Sequence, residues 1–233
     1  MFTARKVFAS TAITAIAVLG VAACSEDDSS GGGTSSSPAT SAQSAAPTSE
    51  QAAPAPVAVV PNLTGRTTAV ALDKGFTDAL TTLMLTPGVV GGATMEGGSV
   101  VFPITGGNVT YYTPGSIQPY VQGIINHQGS GLSLTAGETV VELTNFNIDP
   151  GTSKLMGDVT VNGTVAAPQA VIFDLDGSTL QPLQSNPDGT AVLTGTTVKM
   201  SADAAGLLNK TFNTDAVKAG LVVGVATITI NTQ

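Results

Sequence analysis

The stretch VVELTNFNI, Val140 to Ile148, decides how the rest of the chain is read. Apolar and polar residues alternate along it, the two-residue period of a half-buried strand. That period puts Val141, Leu143 and Asn145 on one face and Val140, Glu142 and Thr144 on the other. Strand-sized runs flank it on both sides: SVVFPI (99–104), NVTYY (108–112), SIQPYVQGII (116–125), GLSLT (131–135), KLMGDVTVNG (154–163), QAVIFDL (169–175), TAVLTGTTVKM (190–200) and LVVGVATITI (221–230). Gly, Pro and Asn separate them, the residues that turn a chain between strands. Two helical patterns interrupt the series. Asp73 is a fitting N-cap for a segment with Phe76, Leu80, Leu83 and Met84 at helical spacing, and Ser201 caps a short helix reaching Asn209. A further helical turn is predicted between Thr214 and Gly220. Parallel strands need long helical crossovers, and the residues from Ser99 to Met200 hold none. The prediction is a mainly β domain, an antiparallel β-sandwich or partly closed barrel with one or two short helices.

The N-terminus supplies an address. Arg5 and Lys6 precede an uncharged, mostly apolar run from Val7 to Ala23. The run falls short of the ~20 residues of a membrane span and ends in small residues, as a secretion leader does. Val21-Ala22-Ala23-Cys24 resembles a bacterial lipobox, which implies cleavage before Cys24 and a diacylglycerol on its thiol. Each buried methylene contributes ~0.8 kcal/mol, so two acyl chains hold a protein on a membrane where one does not. Cys24 is the only cysteine, so a disulfide is excluded and the folded part depends on its core.

Composition divides the chain into three parts. Residues 1–23 are the leader. Residues 24–60 are the lipidated cysteine and a linker of Ser, Ala, Thr, Pro and Gly, with no apolar periodicity to offset the entropy of ordering it. Residues 61–233 form the β domain, long enough to bury a sizeable core. The net charge is −8 over the whole chain, and loss of Arg5 and Lys6 with the leader makes it more negative. An acidic surface without a basic cluster argues against nucleic acid as a partner.

Signs of catalysis are poor. AVIFDLDGSTL (170–180) ends in Asp-x-Asp-Gly, as the nucleophile loop of haloacid-dehalogenase-type phosphatases does. Ser178 intrudes before Thr179, however, and the later acids Asp188, Asp203 and Asp215 are isolated, so the stretch reads as a buried strand and its turn. A calcium loop begun at Asp174 would need a bidentate acid where Ser185 stands. His127 is the only histidine, with no Gly-x-Ser-x-Gly elbow beside it and no cysteines to complete a zinc site. The expectation is no catalytic residue, no metal and no enzyme activity.

One constellation remains: Tyr111-Tyr112 at a strand end, Tyr120 beyond it, and His127 in the segment Ile125 to Gly129. Tyr and His are ordinary axial ligands of haem iron. FPITGG (102–107), the Ile-x-His-x-Gly segment, LTNFNID (143–149) and the AAGLLN…AGLVVGVATI ending resemble a secreted bacterial β domain of anchored surface proteins. More distantly the same order is similar to the Htaa-type haem-uptake domain of corynebacterial surface proteins, although this chain has no Trp where those domains carry one. That resemblance implies haem, with His127 as the positioned histidine and Tyr111 or Tyr112 as the ligand. The reading of the residues themselves assigns no cofactor. It predicts a non-catalytic binding or scaffolding domain at the outer face of the cell membrane, held there through the lipid on Cys24. Its partner is a small ligand or an envelope protein. A carrier of an apolar ligand would require a hollow within the β layers.

Overall fold

A computed structural model describes residues 53–232 of the chain. The leader, Cys24 and most of the linker lie outside the described residues. The strands are β1 (Ala58–Val60), β2 (Arg66–Leu72), β3 (Thr86–Gly91), β4 (Thr94–Glu96), β5 (Ser99–Pro103), β6 (Gly106–Tyr111), β7 (Val121–Ala136), β8 (Thr139–Asp149), β9 (Lys154–Val161), β10 (Thr164–Asp176), β11 (Gln184–Asn186), β12 (Thr190–Met200) and β13 (Val222–Asn231). The helices are α1 (Lys74–Thr82) and α2 (Ala202–Phe212). Strand pairing begins at Ala58, three residues before the boundary expected from composition, because Ala58 to Val60 pair with Tyr111 to Val109.

All the strands belong to one antiparallel sheet, ordered β1-β6-β7-β8-β9-β10-β12-β13-β2-β5-β4, with β3 added on β7 and β11 on β12. The two open alternatives thus resolve to a partly closed barrel, a single curled sheet whose halves face each other, with two helices. Its ladders and its core lie within residues 53–232, so this segment carries what it needs to fold alone.

The curl comes from bulges in neighbouring strands. The register slips between His127 and Gly131 on β7, between Thr144 and Asn147 on β8, and between Ala167 and Ala170 on β10. Extra residues bend and twist a strand locally, and adjacent bulges bend the sheet as a whole. Asn145 (φ 54°) and Gln169 (φ 45°) take the left-handed conformation at these slips, which is costly without support. Asp158 supplies it. One carboxylate oxygen accepts from Asn145 Nδ2 at 2.9 Å, and the other accepts from Gln169 N at 2.9 Å and Gln169 Nε2 at 3.1 Å. The Asn145 bond, then those from Gln169, hold the Asp158 carboxyl below the usual carboxylate range. Asp158→Ala should cost about 2 kcal/mol in a denaturant titration, and Asp158→Asn less. A neutral result for both would mean that the bulges hold without it.

The bulge also corrects the phase of β8. Its buried residues are Val141, Leu143, Phe146 and Ile148, so the alternation slips by one at Thr144-Asn145 and Asn145 leaves the face predicted for it. GLSLT is likewise no separate strand: β7 runs unbroken from Val121 to Ala136.

The helices pack against one end of the sheet's inner face, where Phe76, Leu80 and Leu208 meet Leu134 and Met200, neighbours on the same strand faces of the cavity residues Leu132 and Val198. Asp73 caps α1 by accepting from Gly75 N, and Phe76 and Leu80 are its buried residues. Met84 is exposed and left-handed (φ 55°) just past the helix end, not part of its apolar face. Ser201 caps α2 by accepting from Ala204 N while donating to Val171 O at 2.6 Å, which ties the helix start to β10. Ala204, Ala205 and Leu208 are its buried residues. The segment from Thr214 to Gly220 forms no helix. Among the described residues no helix is long and apolar enough to cross a membrane.

Candidate functional site

The concave face of the curled sheet encloses a cavity of about 440 Å³. Strand alternation builds it: side chains on one face of β2, β5, β10, β12 and β13, such as Val70, Val100, Leu175, Val198 and Val223, point into the hollow. No lining residue is Asp, Glu, Lys or Arg. The volume falls in the range of small-molecule sites, roughly 300–1,000 Å³.

Rings form the floor. Phe146 meets Phe102 edge-on with centroids 5.4 Å apart and lies 6.3 Å from Phe173, while Phe102 stands edge-on to His127 at 6.2 Å. Such contacts add about 0.5–1.5 kcal/mol each beyond the area they bury. Gly157 makes room for the central ring, since a Cβ there would stand 2.7 Å from Phe146 Cδ1.

His127 is 1% exposed, in mid-strand and directly opposite Phe146. Nδ1 lies 2.9 Å from Pro103 O, and a carbonyl only accepts, so Nδ1 carries the proton. Nε2, 3.2 Å from Thr68 Oγ1, then accepts from that hydroxyl. The ring thereby ties β7 to β2 and β5. Burial pushes its pKa down to about 4 against the opposing pull of the Pro103 bond, so the imidazole is neutral. With both nitrogens engaged, neither is free for a metal.

The tyrosines occupy another part of the cavity. Tyr111 and Tyr120 both line it, perpendicular to each other with centroids 5.8 Å apart, beside the exposed Gln118. Tyr112 does not line it. Burial, and then the neighbouring Tyr111, raise the pKa of Tyr120, so its phenol keeps its proton. Tyr111 pairs with Val121, six residues along β7 from His127, or about 20 Å of strand. The structure therefore places Tyr111 and His127 on one cavity wall without bringing them to a common centre.

Sequence reading singled out His127, Tyr111 and Tyr112, and it missed Thr68 and the phenylalanine floor. Phe173 was within reach, since it alternates with Leu175 in the QAVIFDL strand. Phe146 was hidden by the phase slip beside it. The Asp-x-Asp-Gly acids fall outside the cavity. Asp174 accepts from Lys154 Nζ at 2.5 Å and Asp176 from Lys199 Nζ at 2.7 Å, while Phe173 and Leu175, which alternate with them along the strand, line the hollow. Its bonds from Lys199 and Ser178 hold the Asp176 carboxyl well below the usual range.

No protein-family model matches the chain, and no curated protein matches it. Among solved structures it is similar to the C-terminal domain of HtaA from Corynebacterium glutamicum, with 14% identity over 74% of this chain and 99% of that one and a TM-score of 0.52. A weaker likeness, with a TM-score of 0.49, joins it to the heme binding protein HtaB of the same organism, at 11% identity over 75% of this chain and 96% of that one. At such identities the shared property is the fold, and at that level the Htaa-type resemblance holds.

Proposed function

We propose that this is a non-catalytic binding domain that holds an apolar ligand in the hollow of its sheet, carried at the outer face of the cell membrane by the lipid on Cys24. The observation that carries the reading is the uncharged, largely apolar cavity of about 440 Å³. An apolar molecule entering it leaves water at about 25 cal/mol per Å² of surface covered. The groups that could have served catalysis are otherwise engaged. Both nitrogens of His127 are hydrogen-bonded, and Asp174 and Asp176 each hold a lysine. Among the described residues no three His, Cys, Asp or Glu side chains cluster. The direct test is a neutral fluorescent probe such as N-phenyl-1-naphthylamine, added to residues 53–233. A saturable enhancement near one equivalent is expected, and none would overturn the reading.

Haem is a second reading, favoured by the tyrosine pair inside the cavity. A phenolate is an ordinary ligand of ferric haem, and Tyr111 and Tyr120 are the side chains that could hold one here. His127 does not fit as a ligand, because iron would have to displace the Thr68 hydroxyl from Nε2. Bound haem would supply redox and ligand-binding chemistry at its iron; the chain's part is to exclude water and to offer a phenol. Titration with hemin should then shift the Soret band at one equivalent. Tyr111→Phe with Tyr120→Phe should weaken binding at least about tenfold, a loss of ~1.4 kcal/mol, and His127→Gln should leave the band position unchanged. An unshifted band retires haem and leaves the apolar-ligand reading to its own test.

A further inference from the structure

We propose that the ligand of this hollow is a lipid with one long hydrocarbon chain and an uncharged headgroup, the chain running down to the phenylalanine floor and the headgroup resting among the hydroxyl and amide groups at the tyrosine end. The inference rests on the apolar-ligand reading and narrows it.

Shape gives the first argument. The lining extends from Phe146 and His127 to Val121 and Tyr111, about 20 Å along β7. A volume of about 440 Å³ drawn out over that length is a slot, the form of an extended chain. The distribution of polar atoms gives the second. At the floor the polar ring of His127 is already satisfied by Thr68 and Pro103, so it asks nothing of a ligand. At the other end the lining holds Tyr111, Tyr120, Gln118 and Ser153. These offer neutral donors and acceptors together, which suits hydroxyl and ester oxygens.

Charge gives the third argument and decides the headgroup. A carboxylate or phosphate entering the slot would lose its water and find no lining cation to replace it. Arg66 lies nearby, paired in the sheet with the lining residue Ile230, but it is committed: Nε donates to Asn231 Oδ1 at 2.8 Å, and an η-nitrogen lies 3.9 Å from Asp188. Residues 53–233 hold six Lys and Arg against twelve Asp and Glu, and this net negative charge repels anions further.

The test uses residues 53–233 loaded with N-phenyl-1-naphthylamine and then titrated with monooleoylglycerol or with oleate at pH 8. Monooleoylglycerol should displace the probe stoichiometrically, and oleate should need at least about ten times more, equivalent to ~1.4 kcal/mol. Gln118→Lys, a change at an exposed position, should narrow that gap by giving the carboxylate a partner. Equal or better displacement by oleate would overturn the headgroup assignment. Bound probe that neither lipid displaces would overturn the lipid itself while the apolar-ligand reading stands. No probe signal at all would instead count against that underlying reading.

Discussion

Phe146→Ala should destabilise the domain by about 3–5 kcal/mol, the loss expected when a buried phenylalanine is truncated. The ring is 1% exposed, meets Phe102 and Phe173, and fits the space that Gly157 leaves open. Truncation removes the middle of this row, and the rigid ladders on either side cannot close the gap. Urea unfolding of the variant beside the parent gives the number, and Phe146→Leu should recover much of the loss. A cost under about 1 kcal/mol would mean that the floor is loosely packed, contrary to the burial seen here.

Acid should weaken the domain through His127 by up to about 3 kcal/mol. The imidazole has its ordinary pKa of 6.5 in the unfolded chain and about 4 in the fold. Between those values the unfolded chain binds a proton that the folded chain refuses. Stability from this group is therefore complete above pH 6.5 and declines as pH falls toward 4, by about 1.4 kcal/mol per unit within the window. His127 is the only histidine. Asp158, Asp176 and Asp188 have pKa values lowered below 3.8, so their stabilisation is also lost toward acid. Comparing the chain with His127→Gln separates the effects. The variant is less stable at pH 7, but its stability should change less between pH 6.5 and 4.5. Equal pH slopes would show that the buried ring takes up its proton without penalty.

The alternation in VVELTNFNI was enough to recognise a strand, and the turn residues around its neighbours were enough to recognise an antiparallel sheet. Asp73 and Ser201 marked both helix starts because an N-cap is a local bond between a side chain and the next turn. The losses occurred where one extra residue changes phase. Asn145 breaks a two-residue period without any change in composition, so Phe146 went unassigned as part of the floor. Asn-His-Gln-Gly looked like a break between strands, yet the glycines serve a bulge: Gly129 is left-handed (φ 72°), and a Cβ on Gly131 would stand 2.1 Å from Leu143 O. His127 consequently became a core residue of β7 instead of a turn residue. The hollow was beyond sequence altogether, since it depends on how far a sheet bends before its ends meet, and bulges on separate strands set that jointly.

A hollow sheet has a thermal consequence. Wall side chains such as Leu175 and Leu193, which line the hollow and are only half-buried, make fewer dispersion contacts on that side than fully packed residues do. A guest molecule restores those contacts in the native state alone. At a hundred times its dissociation constant it adds about 2.7 kcal/mol to the unfolding free energy. Melting temperature is thus a gauge of cargo: emptied and loaded preparations of the same polypeptide should melt several degrees apart, and a preparation that melts unexpectedly high has brought its passenger from the cell.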